Sequence, residues 1–403
     1  MQDAVVPDHI PAHLVVDYDR FAQPELKRCP HQRINALFQT LPPIFYTPRN
    51  GGHWVVARSS EAVDMLRKPE IFSSNPSFNR QMQRSPRTAP NQYDPPEHTE
   101  LRNLVNPFFQ VGAIPALEPQ IRLLARRLID EVLPRGECEF LTEIAQRFPV
   151  EIFLTMAGAP LDDREVLIGF VERFTREPEL ADRLQALREL ADHLKQYMDE
   201  REARPTDDLL GVVVTGKLNG QPLTDEEKLG FASLLFLGGL DTVASMLSFI
   251  MAHLATHPQN YARLVNDPDI IPRAVEELMR VHGVAAMERA VAVDTEYAGV
   301  TFRKGDRLLF VPQVYGLDNP RLENPLVVDL DRKMTPQLIF GAGPHRCIGS
   351  HLAMAEIRIF LQEWTASLPT FSMDGEPDPE TFSGIVWSPV AVPLRWQVQP
   401  AAR

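Results

Sequence analysis

The chain has 403 residues, 44% hydrophobic and 24% charged, proportions of a globular protein with ample core, which excludes long disorder beyond the termini. Its 54 acidic against 41 basic side chains leave a formal charge of -13, which speaks against a general nucleic-acid binder, because neutralising phosphates needs an excess of positive charge. Three widely spaced cysteines, Cys29, Cys138 and Cys347, make no disulfide framework, and the N-terminus lacks a basic then apolar signal stretch, so the expected setting is reducing and cytoplasmic.

A prior of roughly 150 residues per domain would divide the chain in two or three. No linker, charge block or repeat does so, and one domain over residues 1–403 is expected. Near the start, "PPIFYT" and "HWVVAR" alternate as strands around "NGG", a hairpin signal. Residues 75–92, "NPSFNRQMQRSPRTAPNQ", read as a loop. In "DPPEHTELR", His98 and Arg102 stand four apart on a helix, and both can donate to an anion or be solvated. Leu117, Ile121, Leu124, Leu128 and Val132 recur at helical steps until Pro134 and Gly136 end the run. Amphipathic stretches follow over about 139–158 and 180–203.

A long apolar helix starts at a capping box, Thr224 with Glu227, and ends near 256–258. Its run 231–254 is apolar enough for a membrane span, but Asp241 near the middle would be costly at mid-bilayer. A core helix and no membrane are therefore expected. Within it Gly238 and Gly239 each cost about 1 kcal/mol relative to alanine, explicable by close packing or by function. Asp241 and Thr242 add a carboxylate and a hydroxyl that must find partners if buried. A helix over about 269–282 carries Glu277 and Arg280, a spacing worth only about 0.3 kcal/mol on an exposed face. Strand-like pieces, "RAVAVDTEYAGVTF" and "DRLLFVP", precede irregular sequence, then "FGAGPHRCIG" at 340–349 and a helix to about 367. The fold class is mainly α with a minor β-sheet region.

Cys347 lies directly before that last helix, whose unpaired N–H groups would favour a thiolate. Gly341, Gly343 and Gly349 permit tight turns and close approach of a flat group, and Phe340 can shield one side. A buried free cysteine is the ordinary alternative. Zinc on His345, Cys347 and His351 is another, though no second ligand pair stands near.

The order Phe340-Gly341-x-Gly343-x-His345-x-Cys347-x-Gly349 resembles the haem-binding loop of the cytochromes P450. Length and motif order look similar to the soluble bacterial members, most of all the camphor-hydroxylating group. The resemblance implies haem b with Cys347 as axial thiolate, and dioxygen activation for insertion into a C–H bond. It gives Gly238 and Gly239 to the oxygen-binding groove, and proton delivery to Asp241 and Thr242. Glu277, Arg280 and Arg332 become a structural set. His98, Arg102, Arg289 and His345 become contacts of the haem propionates. Leu234, Leu237, Gly238, Ala285, Met287, Ile385 and Val386 become the pocket lining, whose apolar character implies a small apolar substrate. Residues 75–92 would close that pocket and contain no tyrosine, so a monoterpenoid other than camphor is the leading expectation. Oxidation of a small aromatic acid, a peroxide-driven relative and a non-catalytic haem sensor are the alternatives. The chain has no flavin or iron-sulfur motif, so a [2Fe–2S] ferredoxin with its NAD(P)H-dependent reductase is the expected electron source. Arg102 and Arg346 are its candidate docking charges, while Met354 and Ala355 stand where camphor-hydroxylating relatives carry two arginines.

Overall fold

The computed structural model describes residues 4–84, 86–319, 322–333 and 338–398, with Arg80 described by its backbone alone. Nine of its helices position the site: α1 Glu97–Phe109, α2 Ile114–Val132, α3 Arg147–Ala157, α4 Arg164–Arg176, α5 Leu180–Ala203, α6 Asp225–Leu240, α7 Thr242–Thr256, α8 Ile271–Val281 and α9 Ser350–Ser367. A five-stranded sheet, β1 Ile44–Thr47, β2 His53–Val56, β3 Phe72–Ser73, β4 Met287–Val291 and β5 Arg307–Phe310, runs in the order β1-β2-β5-β4-β3. The hairpin read around "NGG" is its β1–β2 edge, with Gly51 and Gly52 in the left-handed region that tight turn requires.

The element order follows the periodicity, with two instructive differences. The stretch 139–158 is a strand end, a π-turn over Leu141–Ala145 and only then α3. Phe140 packs edge to face on Phe360 and Trp364, with Phe148 tilted against Phe360, and that aromatic seam against α9 outweighs a uniform helical repeat. The apolar helix is two helices, parted at Asp241 (φ -105°, ψ -30°). The Thr242 hydroxyl donates to the Gly238 carbonyl at 2.9 Å, taking an acceptor near the break.

The capping box closes as read: Thr224 N–H donates to Glu227 at 2.8 Å and Glu227 N–H to the Thr224 hydroxyl at 3.3 Å. Beyond it the most apolar stretch of α6–α7 is 78% buried inside the protein. It is a core helix, hydrophobic nearly all round because neighbours cover most of its surface.

Glu277 and Arg280 are not a surface pair. Both are buried, and two guanidinium N–H groups of Arg280 meet the Glu277 carboxylate at 2.7 and 2.8 Å. Arg332 adds a third contact at 3.0 Å, and the carbonyls of Gly316, Pro325 and Val327 accept the remaining Arg280 donors. The set is saturated, which is what makes a buried ion pair tolerable.

Candidate active site

The cysteine loop is shaped by two of its glycines. Gly341 and Gly343 have φ of +71° and +70°, and a Cβ on Gly343 would come within 2.1 Å of the Leu66 carbonyl. Gly349 sits at the start of α9 with ordinary φ and open space where a side chain would be. Phe340 C=O accepts from Cys347 N–H at 2.9 Å, so the loop closes on itself just ahead of the helix.

Cys347 keeps an open face although protein surrounds it, so it lines a recess rather than the outer surface. Burial pushes its thiol above the ordinary value, against the pull of the Gly349 N–H and of the Arg102 and Arg346 charges. A helix start alone does not therefore make a thiolate here. A bound metal cation would supply the missing stabilisation.

Beside the loop the fold gathers four donors that stand 4 to 247 positions apart in the chain, His98, Arg102, Arg289 and His345. The His98 and His345 rings lie 4.0 Å apart. Desolvation and the Arg102 and Arg289 charges hold His98 down at about 4, and push His345 still lower for the same reasons. His98 Nδ1 is buried without a partner. Arg289 is buried and lowered to about 10 by desolvation, with Asp94 opposing. Asp94 is itself engaged by Ser73 and Ser74. Arg102 donates to the Pro344 carbonyl at 3.3 Å and His345 meets the Ser74 hydroxyl at 3.2 Å. Two guanidiniums and two imidazoles so placed form a receptor for a dianion.

The paired glycines of α6 divide in function. A Cβ on Gly239 would strike Phe153 at 2.5 Å, so packing against α3 requires a glycine there. Gly238 meets nothing within 4 Å, so one side of α6 is open there. Thr242 is half-buried next to it. Asp241 turns the other way: Arg176 donates to it at 2.8 Å, Thr175 at 3.1 Å and Ser245 at 3.3 Å. Arg176 also holds Glu172 at 2.6 Å. Arg176 escaped the sequence reading, since its partner lies 65 residues away and no local spacing links them.

Leu237 and Val386 are buried, while Leu234, Ala285, Met287 and Ile385 are half-buried. Ala285 bridges Val386, and Ala286 N–H donates to the Ile385 carbonyl at 2.8 Å, so these two distant segments form one strip. The Met287 thioether approaches Gly341, joining the strip to the cysteine loop.

The family described as Cytochrome P450 matches residues 151–389. The probable cytochrome P450 127A1 of Sinorhizobium fredii is 33% identical over 97% of this chain and 97% of its own. Cytochrome P450-terp of a Pseudomonas species is 28% identical over 85% of this chain and 87% of its own. Among solved structures, cytochrome P450 CYP101C1 superposes with a TM-score of 0.86 at 33% identity, covering 98% of this chain and 100% of that one. Local geometry and whole-chain likeness thus agree, and the chain belongs to the cytochromes P450, the haem-thiolate monooxygenases, close to their soluble bacterial camphor-hydroxylating group.

Proposed function

We propose that this protein, acting as a single domain in the cytoplasm, hydroxylates a small apolar compound, a monoterpenoid in the first instance. The observation that carries the reading is a recess bounded by the open face of Cys347 and, on our reading, by the open side of α6 at Gly238. The residues present fit haem b: a thiol with an open face for its iron, and an orphaned His98 nitrogen among Arg102, Arg289 and His345 for its propionates. When bound, haem supplies dioxygen activation and insertion of one oxygen atom into a C–H bond.

The chain supplies the rest. Phe340 and Gly341 shape the loop that holds Cys347 in place. Leu234, Leu237, Ala285, Met287, Ile385 and Val386 give the substrate an apolar, water-poor lining. The Thr242 hydroxyl, bonded to the Gly238 carbonyl, holds a transferable proton at the open side of the helix. Asp241, held by Arg176, stands behind it as the relay towards solvent. A terpenoid is supported by the apolar lining and by the likeness to cytochrome P450-terp. Electrons come from a [2Fe–2S] ferredoxin and its NAD(P)H-dependent reductase. Arg102 and Arg346 remain half-exposed for docking, whereas Ala355 is buried and Met354 half-buried, so this face differs from that of arginine-bearing relatives.

The test is Thr242→Ala. The variant is expected to keep haem and ligand binding while most consumed NAD(P)H is recovered as hydrogen peroxide rather than product. Unchanged coupling of reductant to product would remove Thr242 from the proton route.

A further inference from the structure

Glu288 stands apart from the site above. It and Arg289 are consecutive on β4 and so point to opposite faces of the sheet. On the Glu288 face four guanidiniums converge, from Arg20, Arg84 of the 75–92 loop, Arg183 of the first turns of α5, and Arg307 of β5. Arg20 bonds Glu288 at 2.6 Å and Arg84 approaches at 3.8 Å. Arg183 and Arg307 form no ion pair with a carboxylate among the described residues. Arg183 donates to the Glu177 carbonyl, and Arg307 to the Asn50 carbonyl and towards His53. Arg20, Arg183 and Arg307 are each at most 6% exposed, and the Nε atoms of Arg20 and Arg307 are buried without partners.

The neighbouring carboxylates are committed elsewhere. Asp19 accepts from Phe21 N–H and Asn50, and Asp306 from Trp54 and Arg303 N–H beside His9. His53 is kept neutral by burial and by Arg307. Four cations thus share one carboxylate in the interior, and an unmatched buried ion costs several kcal/mol. Desolvation and Arg20 lower Arg183 to about 10, a sign of the same crowding.

Phe21 links the cluster to one end of the pocket strip. The Arg183 guanidinium lies 4.8 Å from the Phe21 ring, Phe21 approaches within 3.3 Å of where a Gly384 Cβ would be, and Gly384 leads into Ile385. We propose that the arginine cluster binds a carboxylate carried by the substrate, whose apolar body lies along the strip. This rests on the reading that an apolar substrate occupies the recess at Cys347, and it narrows that class to amphiphilic acids. A guanidinium fork suits a carboxylate in two-point contact.

The test is calorimetric titration of the haem-loaded protein with two matched pairs. One is perillate and perillyl alcohol, which share a terpenoid body. The other is 4-isopropylbenzoate and 4-isopropylbenzyl alcohol, which share an aromatic one. For the body that fits, the acid is expected to bind about tenfold more tightly than the alcohol, the usual worth of a charged hydrogen bond. Arg183→Gln is expected to abolish that preference and leave the alcohol unchanged. Arg84→Gln, in a loop, gives the same readout should the first variant not fold. Equal binding of acid and alcohol, or a preference that survives both substitutions, would overturn the site while terpenoid binding stands. A preference seen only in the aromatic pair supports the site and sinks the terpenoid reading. Silence from all four compounds overturns both.

Discussion

Two parts of the interior handle charge and small residues in opposite ways. Around the Glu277–Arg280 pair of α8 the charges are closed: Glu277 is saturated by Arg280 and Arg332, and backbone carbonyls take what remains. Around β4 and α6 the same ingredients are left open, with guanidinium nitrogens unpartnered near Glu288, His98 Nδ1 orphaned, and free space at Gly238 and Cys347. The difference separates residues that hold the fold from residues that await a ligand, although both groups consist of buried arginines, acids and glycines. A buried arginine is thus informative only through its unmet bonds.

The comparison breaks most readily at Glu277. Glu277→Gln should cost about 3–5 kcal/mol in urea unfolding, because it leaves buried guanidiniums unpaired. A cost below about 1 kcal/mol, the usual size for an exposed pair, would return it to the surface class. Gly239→Ala should cost about 1–3 kcal/mol, since the added methyl meets Phe153 at 2.5 Å; a neutral result would mean that α3 yields and that the closed region is softer than drawn.

Acid should sharpen the contrast next. Burial holds His31 at about 4 and His253 at about 3, below the unfolded value of roughly 6.5. Protonation therefore favours the unfolded chain, and stability is full above about pH 6.5 and declines as pH falls towards 4. Between pH 7 and 5.5 each such imidazole should remove about 1 kcal/mol in denaturant titrations. Glu288, held well below the carboxylate range by its arginines against desolvation, stays ionised throughout and should contribute nothing to that slope. Smallest on stability is Gly238→Ala, expected within about 1 kcal/mol of the parent, with weaker substrate binding as its visible effect. A melting point lowered as far as by Gly239→Ala would erase the distinction between the two glycines.

What the amino-acid sequence reveals follows the same division. The cysteine loop, the capping box and α5 were legible because their determinants lie within a few residues of one another. The parting of α6 from α7 was hidden, because it needs the Thr242 hydroxyl to take a carbonyl, which no periodicity encodes. The Asp241–Arg176 pair and the cluster at Glu288 were also silent. Residues 20, 84, 183, 288 and 307 share no spacing, and only the folded sheet and loops bring them into one place. Phe153 supplies Gly239 with a packing reason that no local spacing announces.

One stretch of β4 ties the two positive clusters together. Arg289 donates to the carbonyl of Glu288 at 2.7 Å, and both residues are locked in register to β5 through Leu308 and Leu309. Consecutive strand residues lie only about 3.3 Å apart along the chain, so on the proposed readings this one stiff strand carries both the grip on an incoming acid and the grip on the prosthetic group.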